Sequence, residues 1–108
     1  MAQEITAREL AKAIENGQPV RLIDVRQTWE SQTASIPDSV LIPLNELPGR
    51  AGEIPRDPGT LLVIYCHHGV RSQSAAEYVL RLGHSNVRSL AGGIDSWSCE
   101  VDPEVPRY

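Results

Sequence analysis

One short run concentrates reactive side chains: Cys66-His67-His68-Gly69-Val70-Arg71-Ser72, directly after the apolar residues Leu61-Leu62-Val63-Ile64-Tyr65. Three kinds of chemistry compete for it. Cys66, His67 and His68 are soft and borderline metal ligands, but adjacent residues seldom converge on one ion, and no second cluster of Cys, His or carboxylates supplies the remaining ligands. No metal site is therefore expected. A buried strand-end thiol beside two solvated histidines is the ordinary fate of a lone cysteine. The third reading is a nucleophile. A helix starting at Arg71 or Ser72 would aim unpaired N–H groups and the positive end of its dipole at the sulfur. Gly69 permits the turn that a tight cradle of N–H groups demands. Arg71 can turn back across the loop as a permanent cation. Such surroundings favour thiolate over thiol, and together they describe an activated nucleophile.

The flanking sequence must place this loop. Thr6 and Glu9 form a capping-box pattern, with Ile5 able to staple onto Leu10, so a helix should run to about Asn16 and stop at Gly17. Residues 20–25 read as a mostly apolar strand, 40–42 as a second short run closed by Pro43, and 44–54 as room for a short helix weakened by Pro48, Gly49 and Gly52. A turn at Arg56-Asp57-Pro58-Gly59 leads into a strand over 61–65. Ala75, Ala76, Val79, Leu80 and Leu82 recur at helical spacing up to Gly83. A strand over 86–90 and a brief helical turn around 94–97 follow. This alternation predicts an α/β fold, a mostly parallel central sheet of about five short strands with helices on both faces. Ligands of such sheets gather at the carboxyl ends of the strands, where Cys66 lies.

The chain of 108 residues is expected to form a single domain over 1–108, with 99–108 an extended tail containing two prolines. Its formal charge of -4 argues against broad attraction to nucleic acid or to an anionic membrane surface, so any anion chemistry must be local. No stretch approaches transmembrane length, and MAQEITAREL lacks the basic and apolar segments of a secretory signal; a cytoplasmic location is expected. Cys66 and Cys99 form no Cys-x-x-Cys pair and are expected to stay reduced, with Cys99 a bystander rather than a resolving thiol.

Several motifs in order resemble a rhodanese-like domain over nearly the whole chain. They are Leu22-Ile23-Asp24-Val25-Arg26 with Trp29-Glu30, Ile36-Pro37, Leu41-Ile42-Pro43-Leu44, the run from Cys66 to Ser72, and Leu90-Ala91-Gly92-Gly93-Ile94 with Trp97. The resemblance implies a single-domain sulfurtransferase of the thiosulfate sulfurtransferase type. Cys66 would take a sulfane sulfur from thiosulfate or a persulfide donor, hold it as a persulfide, and pass it to a thiophilic acceptor, which could be a protein. The loop residues His67, His68, Gly69, Val70, Arg71 and Ser72 would bind the persulfide, with main-chain N–H groups of His67 to Arg71 on the terminal sulfur and the Arg71 guanidinium adding charge. No metal or organic cofactor is implied. The alternatives are a non-catalytic binding or regulatory module, whose usual sign is a lost cysteine or damaged loop, and a Cys-dependent phosphatase or arsenate reductase. Those enzymes place five residues between cysteine and arginine, whereas four stand here.

One departure from the family pattern is Ala34-Ser35-Ile36-Pro37-Asp38-Ser39 in place of Gly-His-Ile-Pro-Gly-Ala. Asp38 tolerates a left-handed backbone better than most residues, and the missing histidine bears on packing or partner contacts. The tail VDPEVPRY resembles the end of rhodanese-like segments attached to enzymes that activate ubiquitin-like sulfur carriers, which implies sulfur delivery for cofactor or tRNA thiolation. Asp24 and Arg26 are expected to support the loop structurally, Glu30 to partner Arg26 or to be solvated, and Trp29 and Trp97 to pack. His67 and His68 should line the entrance, and His84 should face solvent.

Overall fold

The computed structural model describes residues 2–108. Its strands are β1 (Glu4–Ile5), β2 (Val20–Asp24), β3 (Ser39–Leu41), β4 (Leu61–Tyr65) and β5 (Val87–Leu90), joined by helices α1 (Ala7–Glu15), α2 (Thr28–Thr33), α3 (Leu47–Arg50), α4 (Val70–Arg81) and α5 (Gly93–Glu100). Short 3-10 turns at Leu44–Glu46 and Ala51–Glu53 flank α3. The strands make one five-stranded sheet in the order β1-β5-β4-β2-β3, parallel throughout. The anticipated α/β architecture is thus present.

β4 is central and buried along its whole length, and its alternation divides the core. Leu62, Ile64 and then Cys66 face the layer formed with Leu47, Ala75, Ala76 and Val79. Leu61, Val63 and Tyr65 face Ala7, Leu10, Ile94 and Trp97 of α1 and α5. The strand that delivers the cysteine is therefore clamped on both faces, and its end is fixed. α1 begins with the anticipated capping box, Glu9 N donating to Thr6 Oγ1 at 3.1 Å and Thr6 N to Glu9 Oε1 at 2.9 Å.

Three expectations need correction, and α2 is an element that the sequence pattern did not announce. The polar segment after β2 folds as α2, started by Gln27 N donating to Glu30 Oε1 at 3.1 Å. Around 94–97 stands not one turn but the eight-residue α5, which includes Cys99. The tail folds back instead of extending, because Val105 N closes a turn onto Asp102 O at 3.1 Å and the Val105 side chain is buried beside α1 and α5. His84 is buried rather than solvent-facing. Its Nδ1 lies 3.3 Å from Pro55 O, its Nε2 is unpartnered, and burial followed by Arg56 lowers its pKa. Asp38 does adopt a left-handed backbone, with φ 68°.

Candidate active site

β4 ends at Tyr65, so Cys66 stands at the carboxyl edge of the sheet's central strand, and its side chain is almost wholly buried. α4 starts at Val70, one or two residues earlier than its pattern suggests, which brings its first amides onto the sulfur. Gly69 N donates to Cys66 Sγ at 3.1 Å and Ser72 N at 3.4 Å. Ser72 Oγ accepts from the thiol at 3.6 Å. Gly69 holds φ 107°, a conformation that side chains disfavour. The amides aimed at Sγ itself are thus those of Gly69 and Ser72. Behind Ser72, and not singled out in the sequence, lies buried Ser89 of β5, with the two hydroxyl oxygens 2.6 Å apart. A serine inside an apolar strand was the available signal.

A second helix backs the loop. Ile94 N at the start of α5 donates to Cys66 O at 2.9 Å, and Asp95 N donates to His67 O at 3.2 Å. Gly93 makes this approach possible. It has φ 60°, and a Cβ there would fall 2.4 Å from His67 O and 2.5 Å from Cys66 O.

Arg71 does not lie free across the loop. Its Nη1 and Nη2 grip Glu30 Oε1 and Oε2 at 2.7 and 2.8 Å. Glu30 therefore partners Arg71 through its carboxylate, and offers Arg26 only its main-chain oxygen, at 3.4 Å. Arg71 holds the Glu30 carboxyl down at about 2 against the opposing effect of burial, with help from Tyr108 and Gln27. Glu30 in turn raises the Arg71 pKa, and Cys66 adds a smaller electrostatic contribution in the same direction. The Arg71 cation is thus held by the Glu30 carboxylate in a bidentate, charge-assisted pair.

Asp24 and Arg26 pair with each other at the end of β2. Asp24 Oδ1 accepts from Arg26 N at 3.0 Å and Nε at 2.8 Å, and Oδ2 accepts from Nη2 at 2.7 Å. Nη2 also donates to Ala34 O at 2.7 Å, so this fully buried guanidinium ties β2 to the end of α2. Burial works to lower the Arg26 pKa, but Asp24 and Tyr108 outweigh it and the group stays charged.

At the rim, His67 is half-buried between His68 and Tyr108, with ring centroids 3.9 Å away on each side. Burial, then His68, lowers its pKa, so it is neutral at physiological pH. His68 and Val70 are exposed. Trp97 packs as anticipated, but Trp29 is 60% exposed beside the loop because α2 turns it outward. Tyr108 escaped the sequence reading altogether, since its contacts with Arg26 and Glu30 span the chain. Among the described residues no three His, Cys, Asp or Glu side chains gather to hold a metal. A groove of about 500 Å³ lined by Ile14, Val20, Ile36, Pro37 and Trp97 includes none of the loop residues.

A rhodanese-like domain model matches residues 6–100. A sulfurtransferase of Allochromatium vinosum is 36% identical over 98 residues, 91% of this chain and 90% of its own length. The adenylyltransferase and sulfurtransferase MOCS3-2 of Zea mays is also 36% identical, over 96% of this chain but 23% of the maize protein, so this chain spans about a quarter of that relative. The crystal structure of a rhodanese-related protein from Thermoplasma volcanium superposes with a TM-score of 0.82 at 33% identity, covering 92% of this chain and 93% of that one.

Proposed function

The chain belongs to the rhodanese-like domain family of sulfurtransferases, and from that premise we propose that it moves a sulfane sulfur through a persulfide on Cys66. The observation that carries the proposal is the pair of amides, Gly69 N and Ser72 N, at 3.1 and 3.4 Å from Cys66 Sγ at the start of α4. They stabilise negative charge on sulfur without a metal or a cofactor.

In the first half-reaction the Cys66 thiolate attacks the outer sulfur of thiosulfate. A Cys66 S–S bond forms, the donor's S–S bond breaks, and sulfite leaves with the electron pair. A persulfide donor reacts alike and releases a thiolate. In the second half-reaction an acceptor nucleophile attacks the terminal sulfur, and Cys66 departs as thiolate, its starting state. The loop from His67 to Ser72 surrounds the transferred atom, Arg71 supplies positive charge, and Asp24 and Arg26 hold the floor beneath it. Exposed Trp29 and Val70 beside the loop support a protein as donor or acceptor. The resemblance of the tail supports a place in sulfur delivery.

Intact-protein mass spectrometry after incubation with thiosulfate tests the proposal. The expected result is one added sulfur on Cys66, discharged by cyanide, absent in Cys66→Ser and retained in Cys99→Ser. No adduct from any sulfane donor would leave a binding module as the better reading. Strong Cys66-dependent turnover of an aryl phosphate would point to a phosphatase instead.

A further inference from the structure

The transfer chemistry assigns nothing to residue 108, yet Tyr108 meets both guanidinium–carboxylate pairs. Its hydroxyl donates to Glu30 Oε2 at 2.6 Å and accepts from Arg26 Nη1 at 2.9 Å. Its ring stacks on His67, the neighbour of the nucleophile, with 8° between planes, and meets Trp29 edge-on at 5.9 Å. The segment leading to it is pinned twice, by buried Val105 and by Arg107, whose Nε donates to Asp95 Oδ1 on α5 at 2.8 Å. So many contacts fix the ring and hydroxyl in one place.

The hydroxyl alters how the Glu30 charge is shared. Oε1 accepts from Arg71 Nη1 and Gln27 N; Oε2 accepts from Arg71 Nη2 and from Tyr108. A short O–H···O⁻ bond draws negative charge from Oε2. Arg71 is then less completely neutralised by its partner and retains more positive potential toward Cys66. Burial, and then Glu30, push the Tyr108 pKa up to about 12, so the donor proton is present at every physiological pH.

We propose that Tyr108 is a positioning residue for the nucleophile loop: its hydroxyl fixes Glu30 and thereby sets the positive charge that Arg71 presents to anions arriving at Cys66, while its ring holds His67. This rests on the reading of Cys66 as the nucleophile. It brings Tyr108, 36 residues beyond Ser72 in the sequence, into the active site.

The test compares alkylation of Cys66 by iodoacetate, an anion, with alkylation by neutral iodoacetamide, in a Cys99→Ser background. The ratio of the two rate constants reports positive potential at the sulfur. Tyr108→Phe keeps the ring and deletes the hydroxyl, and should lower the ratio roughly three- to tenfold, a partly transmitted share of one charge-assisted hydrogen bond. The kcat/KM for thiosulfate, a dianion, should fall in parallel. Leu61→Ala, a core truncation at the end of β4 opposite to Cys66 and outside every contact of Tyr108, should lower the melting temperature with the ratio unmoved. An unchanged ratio in Tyr108→Phe, or an equal fall in Leu61→Ala, would overturn the role of Tyr108. The ratio is read on alkylation alone, so failure to load sulfur from any donor overturns the proposed function instead.

Discussion

Arg26 and Arg71 each sit in the two-pronged grip of one carboxylate, with bonds of 2.7 to 2.8 Å, yet the two pairs live in different media. Arg26 takes its partner from two residues away and is fully buried; Arg71 reaches across 41 residues to Glu30 and keeps 35% of its side chain exposed. In the first pair every charge has left water, so its attraction is spent against the cost of desolvation and its effect is to hold β2, α2 and the tail in one arrangement. In the second pair the cation stays partly in solvent, where under the proposed function its field would act on an incoming anion. The same bidentate geometry is dry in one place and part-solvated in the other, and solvation sets what each pair can do.

Breaking the buried pair should have the largest effect on the fold. Arg26→Leu strands the Asp24 carboxylate without a counter-charge and should cost about 3–5 kcal/mol in chemical denaturation; a loss under about 1 kcal/mol would place it with surface pairs. Arg71→Ala should invert the balance. Glu30 keeps its bonds from Gln27 and Tyr108, so stability should drop by only about 1–2 kcal/mol, while sulfur loading from thiosulfate slows by about a hundredfold. Arg71→Lys should not restore the rate, because a single ammonium cannot reproduce the fork.

A pH titration sharpens the contrast further. The folded protein holds Glu30 at about 2, below the ordinary 4.5, so its contribution to stability is complete above 4.5 and fades as the pH falls through 2. The stability gap between wild type and Glu30→Gln should therefore narrow as acid is added across that window, and a gap constant from pH 5 to pH 2 would contradict the ion pair. The smallest effect belongs to Cys99→Ser, at an exposed position outside both pairs: within about 0.5 kcal/mol of wild type, with unchanged sulfur loading.

The pattern of success in reading the sequence follows the range of the interactions. Thr6 with Glu9, the apolar run of β4 and the periodic alanines of α4 are local signals, and they located the start of α1, the body of α4, the central strand and the cysteine at its end. The family motifs supplied their order. α2 was hidden because all of its six residues but Trp29 are polar and it lacks an apolar stripe, so that only the partial capping signal of Gln27 and Glu30 marked it. The assignment of Glu30 to Arg26 went to the nearer arginine in sequence, whereas folding brings Arg71 closer. Trp29 and His84 show the same limit from the other side. An indole left in solvent and an imidazole buried under the Pro55 carbonyl are decided by which way a helix turns and where a loop comes to rest. Tyr108 depends on a tail that crosses the whole site.

The amides at the start of α5 have a consequence for the polarity of the loop. In a planar trans peptide the C=O and N–H point in opposite directions. Holding Cys66 O and His67 O against Ile94 N and Asp95 N therefore turns the following amides, those of His67 and His68, away from α5. α5 acts as a jig that sets the handedness of the peptide planes on which the cradle is built. A side chain at position 93 would push those carbonyls off the jig and leave them free to swing inward, so that an anion would meet oxygens instead of N–H groups. Gly93→Ala should then give a folded protein whose Cys66 loads sulfur more slowly, because the peptide dipoles of His67 and His68 at the loop's entry have reversed while the Gly69 and Ser72 amides still face the sulfur.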